Sequence, residues 1–335
     1  MDPNRKTINA VQADDLDALE AYQVVQLPMP EPGTGQVLIR VAFCSIGYVD
    51  ALIALGRYQK KPSLPHIPGS EVAGVVASVG PDVSGLAPGM RVMARVPGGF
   101  AEYAVADLKD VKVLPDGMTL SQAAVFRGNY LTAMHGLADR GSLKAGETLL
   151  VMGAAGGVGL AAVEVGRALG ARVIAVASTD AKRAVAREAG AEAVLDREPD
   201  GWRERLKEIA PDGPDVVYDP VCGPLMDPAF RSLHWRGRYL VIGFAHGEIP
   251  ALRLNLPLLK GAALIGVDTR QFGEILEPDA ADAMVEQLLS WAAAGTLNPP
   301  VGRRFAFDQH TEALTFALSG NAIGKSLLAV DETIS

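Results

Sequence analysis

Cysteine is almost missing from this chain: Cys44 and Cys222 are the only two among 335 residues. That excludes a disulfide framework and fits a reducing compartment. A surplus of basic charge is missing too. With 31 Lys and Arg against 39 Asp and Glu, the net charge of −8 offers no electrostatic footprint for DNA or RNA and argues against anionic membrane surfaces. No uninterrupted apolar run reaches membrane length, and the opening MDPNRKTINAV lacks the apolar core of an export signal, so a cytoplasmic protein is expected. What remains is a globular composition, 49% hydrophobic and 21% charged, long enough for two domains with full cores.

The most specific word present is Gly153-Ala-Ala-Gly-Gly-Val-Gly159. The apolar run Thr148–Met152 before it reads as a buried parallel strand, and Val158, Ala161, Ala162, Val165 and Leu169 after it recur at helical spacing. A second apolar run, Arg172–Ala177, follows Gly170. Strand, glycine turn, helix and strand within about 30 residues is the context a dinucleotide site requires. Glycines let the backbone approach a pyrophosphate, and the helix N-terminus supplies N–H donors and a positive dipole end.

The first third reads as irregular β structure. Val37, Ile39, Val41 and Phe43 alternate with Leu38, Arg40 and Ala42, Val72–Val79 is a second strand candidate, and Pro/Gly clusters punctuate the segment as turns. From about Asn129 six apolar runs alternate with helical stretches, the pattern of a doubly wound parallel sheet. The last segment, with an amphipathic helix over Ala281–Ala294 and a terminal strand over Ser326–Val330, is too short for a core of its own and is expected to return to the first domain.

Five words now stand together: Leu64-Pro-His-Ile-Pro-Gly-Ser-Glu-Val-Ala-Gly74, Gly99-Phe-Ala-Glu-Tyr103, Leu131-Thr-Ala133, the glycine turn, and Gly324-Lys-Ser-Leu-Leu328. Across almost its whole length the chain resembles the medium-chain dehydrogenase/reductase superfamily, and it looks like a member of the zinc-free quinone oxidoreductase branch. The resemblance implies an α/β architecture. A Rossmann-type NADP(H)-binding domain would span residues 129–268, and a mostly β, GroES-like catalytic domain residues 1–128 and 269–335. It also implies a homodimer through the last strand of the cofactor sheet, around Leu264–Val267, which would otherwise be an exposed edge.

The zinc alcohol dehydrogenases of the superfamily offer a comparison for the metal. Their cysteine, histidine and third ligand fall here on Gly47, Ser70 and Asn129, with Asp50 and Glu71 kept beside them, and their proton-relay hydroxyl falls on Val49. His66, His135, His234, His246 and His310 share no spacing with the two cysteines, so no metal site is expected. Without a Lewis acid to stabilise an alkoxide, hydride delivery to an already polarised acceptor is the easier chemistry.

NAD-dependent members carry a carboxylate at the end of the second strand for the ribose 2′-OH. Here Ala177 holds that position, followed by Ser178, Thr179 and Lys182, with Arg197 past the third strand, so NADPH is expected. Asp180 is the competing feature, since a carboxylate so near could still take a 2′-OH. Cofactor anchoring is expected from Gly153, Gly156, Gly157, Val158 and Gly159, from Asn129 and Thr132, from Gly243, Phe244 and Ala245 after the fifth strand, and from Lys325 and Ser326. Tyr58, eight residues after Asp50, has the spacing of the catalytic tyrosine of related enoyl thioester reductases, and Tyr48 stands where family members place a residue beside the nicotinamide. Tyr130 and Arg127 are further candidates near the first cofactor-domain helix.

Three functions follow. The first is an NADPH reductase of quinones or similar small-molecule acceptors. The second is a reductase of enones, enals or enoyl-CoA esters, for which Arg57, Lys60 and Lys61 would suit an acyl-CoA. The third is a catalytically silent nucleotide- or partner-binding protein. No nucleic-acid or membrane partner is expected.

Overall fold

Alternation and β-branching drive the first strands together. The computed structural model describes residues 6–59 and 61–334, so Lys60 lies outside the described residues. β1 (Thr7–Gln12) and β2 (Gln23–Pro28) form an antiparallel pair. The alternating segment becomes β3 (Gln36–Ile46), followed by α1 (Tyr48–Ala54), β4 (Glu71–Val79), β5 (Arg91–Arg95), β6 (Tyr103–Asp107), β7 (Val111–Val113) and α2 (Leu120–Ala124). Both faces of β3 are covered. Val37, Ile39 and Val41 enter the main core, and Leu38 packs with Ile8, Ala10, Ala101 and Tyr103 on the other side.

The chain then passes through α3 (Arg127–Met134) into a strictly alternating region. Its elements are β8 (Thr148–Val151), α4 (Gly157–Ala168), β9 (Arg172–Val176), α5 (Asp180–Glu188), β10 (Ala193–Leu195) and α6 (Trp202–Ile209). β11 (Val216–Asp219), α7 (Met226–Ser232), β12 (Arg238–Val241), α8 (Asn255–Lys260), β13 (Ala263–Gly266) and α9 (Pro278–Ala293) complete it. These six strands pair in parallel in the order β10-β9-β8-β11-β12-β13. The chain steps outward to β10, returns to β11, and steps out again to β13. That reversal between β8 and β11 is the switch point at which such sheets bind ligands.

β14 (Val301–Ala306), α10 (His310–Leu318) and β15 (Lys325–Ala329) follow. β15 pairs antiparallel with β3, so the terminal segment completes a seven-stranded sheet ordered β14-β15-β3-β4-β5-β7, with β6 also on β3. The chain divides into two compact units, Met1–Arg127 with Val301–Ser335, and Gly128–Pro300. The return to the first unit therefore comes at Val301, not at residue 269, and α9 belongs with the parallel sheet. The reason is local bonding. Phe272 stacks on His135 with ring centroids 3.9 Å apart, and the Asn298 N–H donates to the Glu164 carboxylate of α4 at 3.2 and 3.3 Å. Among the described residues no helix is long and apolar enough to cross a membrane.

Candidate active site

In the second unit, the turns that follow β8, β9, β11 and β12 share the carboxyl edge of the parallel sheet. After β8 the chain turns at Gly153, whose φ of +58° favours glycine, and α4 starts with Gly156 as its N-cap. A Cβ at Gly159 would run into the Gly153 carbonyl oxygen and lie 2.8 Å from the Ala154 Cα, so only glycine lets the helix begin this close to the turn. At Gly156 a Cβ would meet nothing nearer than the Gly153 oxygen at 3.5 Å, which leaves the concave side open. Among the described residues no backbone carbonyl accepts the N–H groups of Gly157, Val158 and Gly159 that open α4. A cradle of bare backbone donors at a helix N-terminus fits a pyrophosphate.

Two cations, Lys182 and Arg183, follow the end of β9, and Arg197 follows β10. Ala177 is buried and Ser178 half-buried. Thr179 caps α5, its hydroxyl accepting the Lys182 N–H at 3.2 Å, so that oxygen is engaged by the helix. Asp180 points its carboxylate into solvent and pairs with Arg183 at 2.5 Å. Arg183 in turn donates from Nη1 to the Ala177 carbonyl at 3.0 Å, so its guanidinium lies across the strand end. Partial burial, with the nearby charge of Arg197, lowers the Lys182 ammonium below the usual lysine range. Arg183 was not among the residues singled out in the sequence, where it reads as one more surface cation of an amphipathic helix.

The turns after β11 and β12 are laced together. The Ile242 and Ala245 N–H groups donate to the carbonyls of Asp219 and Pro220 at 3.0 and 3.1 Å, placing Gly243 and the exposed Phe244 beside Pro220. Buried Asp219 fixes this corner by accepting the N–H groups of Val221 at 2.7 Å and Cys222 at 2.9 Å, and the hydroxyl of Tyr239. On α3, Thr132 donates its hydroxyl to the Gly128 carbonyl at 2.6 Å, and Asn129 is buried. Tyr130 donates to Glu164 and is thereby committed to packing α3 on α4. Burial pushes the Glu164 carboxyl up, against the pull of Tyr130 and Asn298.

The first unit holds a polar cluster of its own. Gly47 caps α1, and Asp50 accepts the Gly47 N–H at 2.8 Å and the Ser70 hydroxyl at 3.0 Å. Glu71, the first residue of β4, accepts a 2.7 Å bond from Lys325 Nζ, the first side chain of β15. The register Ser326↔Ile46 sets Lys325 across from Gly47, and a Cβ at Gly47 would lie 3.5 Å from Lys325 Cε and 3.4 Å from Asp50 Oδ2. Burial pushes the Asp50 carboxyl up against the attraction of Lys325. Burial also opposes the charge on Lys325, but Glu71 and Asp50 outweigh it and hold the ammonium above the usual lysine range. Burial and the same carboxylates push the Cys44 thiol up, so it stays neutral.

The remaining expected residues fall as follows. Tyr48 is the first residue of α1 and Tyr58 follows its end, both half-buried in the first unit. Ser326 is buried on the face of β15 opposite Lys325, so alternation brings only Lys325 to the cluster. Arg127 donates to the Asp110 carbonyl at 2.9 Å and serves as a strut within the first unit.

A family model described as an alcohol dehydrogenase GroES-like domain matches residues 33–116, and one described as a zinc-binding dehydrogenase matches residues 157–289. The quinone oxidoreductase-like protein 2 of Rattus norvegicus is 33% identical over 312 residues, covering 91% of this chain and 88% of the relative. The chain belongs to the medium-chain dehydrogenase/reductase superfamily, in its quinone oxidoreductase-like branch. The Homo sapiens quinone oxidoreductase is 30% identical over 334 residues, 98% of this chain and 99% of the relative. A mycobacterial protein solved in complex with NADPH superposes with a TM-score of 0.87 at 28% identity, covering 96% of this chain and 99% of that one. For this dehydrogenase/reductase a nicotinamide nucleotide is the cofactor, and the open glycine cradle fits its pyrophosphate.

Zinc, which the second family description names, does not fit the donors at the corresponding positions. Gly47 has no side chain, the Ser70 hydroxyl is given to Asp50, and the Lys325 ammonium sits in the same cluster, where it would repel a divalent cation. Among the described residues no group of three or more His, Cys, Asp or Glu is disposed to hold a metal ion.

Proposed function

We propose that this dehydrogenase/reductase is a zinc-independent enzyme that reduces quinones or similarly activated acceptors with NADPH. The observation that carries the reading is the first-unit cluster, in which Gly47, the engaged Ser70 hydroxyl and a paired ammonium stand where an alcohol dehydrogenase needs thiolate and imidazole. Such a site has no means of stabilising an alkoxide as zinc does, and suits acceptors that arrive already polarised. The names of the rat and human relatives agree with it. NADPH, when bound, supplies the hydride from C4 of its nicotinamide.

The chain's own residues position the reactants. Gly157, Val158 and Gly159 receive the pyrophosphate on backbone N–H groups beside the Gly153–Gly156 turn, while Ser178, Lys182, Arg183 and Arg197 take the 2′-phosphate. Thr179 serves as the helix cap beneath them. Thr132, Asn129, Gly243, Phe244 and Ala245 shape the nicotinamide end, and Tyr48 walls the acceptor side. Tyr58 supplies the proton that completes reduction. A homodimer forms through β13, an edge strand that leaves Leu264 46% exposed, with Leu258 and Leu259 of the preceding α8 exposed as well.

The test is a steady-state assay of purified protein with NADPH across benzoquinones, naphthoquinones, enones and enoyl-CoA esters. Turnover highest on quinones supports the reading. Turnover confined to enoyl-CoA esters favours the second function, for which Tyr58 and the exposed Arg57 and Lys61 speak. No NADPH oxidation with any acceptor favours a silent nucleotide-binding protein. Tyr58→Phe is expected to lower turnover of an enone or enoyl thioester at least tenfold, an ordinary loss for a general acid; unchanged turnover would remove that role.

A further inference from the structure

Within the second unit, a cavity of about 220 Å³ opens between the ends of α6, α7 and α8. Its walls precede β11, β12 and β13, so it lies at the amino edge of the parallel sheet, away from the carboxyl-edge turns of the nucleotide cradle. Its frame is closed by backbone bonds. Gly213, at φ +85°, comes so near the Ser232 carbonyl that a Cβ would overlap its oxygen. The His234 N–H donates to the Pro214 carbonyl at 2.8 Å, the Arg236 N–H to the Lys260 carbonyl at 3.0 Å, and Lys260 Nζ to the Leu233 carbonyl at 2.8 Å. Four cations from three helices, Arg203, Lys207, Arg231 and Lys260, line the space so framed. Arg231 is answered by Asp227 in an ion pair within α7. Among the described residues Arg203, Lys207 and Lys260 have no carboxylate partner, and the one carboxylate lining the cavity is Asp212. Two positive charges are therefore in excess. Arg203 stands in the first turn of α6, where the helix dipole disfavours a cation. Partial burial, and then the charge of Arg203, lower the Lys260 ammonium below the usual lysine range. The fold gathers like charges here without an internal counter-ion, and an anion from solution would offset them.

We propose that this cavity is a second anion site, binding a phosphate dianion either free or as the monoester of a small molecule. A phosphate group carries a charge of about −1.5 to −2 at neutral pH and three acceptor oxygens. That matches the two charges in excess, where a single carboxylate would answer only one of them. The Arg203 guanidinium and the Lys207 ammonium approach from α6 and the Lys260 ammonium from α8, so donors reach the anion from two sides. The volume equals that of roughly seven waters, room for a phosphate and a small organic body. The site does not depend on the reductase reading, since none of its residues serves the nucleotide cradle.

The experiment is a calorimetric titration of the full chain with inorganic phosphate, glycerol 3-phosphate and acetate at constant ionic strength, with NADPH present in excess to occupy the cradle. Wild type, Arg203→Gln, Lys207→Gln and the control Arg187→Gln are compared. Arg203, Lys207 and Arg187 are all exposed on their helices, so each variant is expected to fold. Wild type is expected to bind one phosphate group with a Kd of about 1 mM or tighter. Arg203→Gln and Lys207→Gln should each raise that Kd about tenfold or more, the loss of a charge-assisted bond. Arg187→Gln removes the same charge outside the cavity and should bind as wild type does. Tighter binding of glycerol 3-phosphate identifies a monoester as the ligand, and tighter binding of inorganic phosphate identifies the free ion; either supports the site. Absence of saturable binding by both, acetate binding as tightly as they do, or an equal loss in Arg187→Gln overturns it. Turnover of quinones by wild type is measured separately, so failure of this site leaves the reductase reading standing, and failure of that reading leaves the site.

Discussion

At the scale of single residues, cofactor choice turns on the end of β9. A carboxylate at Ala177 would repel a 2′-phosphate, and the residue there has no charge. Arg183 lies across that strand end, and partial burial with the nearby charge of Arg197 disfavours the Lys182 ammonium, so a bound dianion would offset that charge. Charge-assisted hydrogen bonds contribute about 1.5–3 kcal/mol each. Arg183→Ala and Lys182→Ala are each expected to weaken NADPH binding by roughly tenfold or more, with NADH affinity little changed. Titration of both nucleotides against each variant checks this, and equal losses for the two would contradict it. Asp180, the residue that spoke for NADH in the sequence, is paired with Arg183 in solvent rather than turned inward. The absence of a carboxylate at Ala177 was legible because the glycine turn fixes where the strand must end. Arg183 was not, because its role depends on a guanidinium reaching one turn backward.

At the scale of elements, the glycine turn and its flanking strands were legible because Gly153 adopts a positive φ and Gly159 has the backbone of Gly153 and Ala154 directly against it. The polar cluster was not. Its members come from α1, β4 and β15, and Lys325 meets Glu71 across 254 residues of sequence, a contact that only the β3–β15 register creates. The placement of α9 was misjudged for a similar reason: an amphipathic helix shows its apolar stripe but not which sheet receives it. The edge strand β13 carries a prediction of its own. Among the described residues no strand pairs with its outer edge, and Leu264, Leu258 and Leu259 lie exposed at 46%, 79% and 67%. Sedimentation is expected to give a dimer for wild type and a folded monomer for Leu264→Asp, because a charge in the middle of a paired edge is strongly disfavoured while the isolated edge tolerates it. A monomeric wild type would contradict the proposal.

At the scale of the whole molecule, the two compact units divide the chemistry. Gly128–Pro300 supplies the switch point and the nucleotide cradle, and the seven-stranded unit holds the cluster of Asp50, Glu71 and Lys325. The architecture was legible almost throughout, since strand and helix periods change where the units change. The acceptor was not, because no motif in the sequence ties particular residues to it. What most directly tests the account is the ratio of kcat/KM for NADPH to that for NADH, measured on purified protein with one quinone acceptor and no added metal. The account predicts turnover with the quinone and a ratio of about tenfold or more in favour of NADPH, as expected for at least one charge-assisted bond to the 2′-phosphate. Preference for NADH would contradict it.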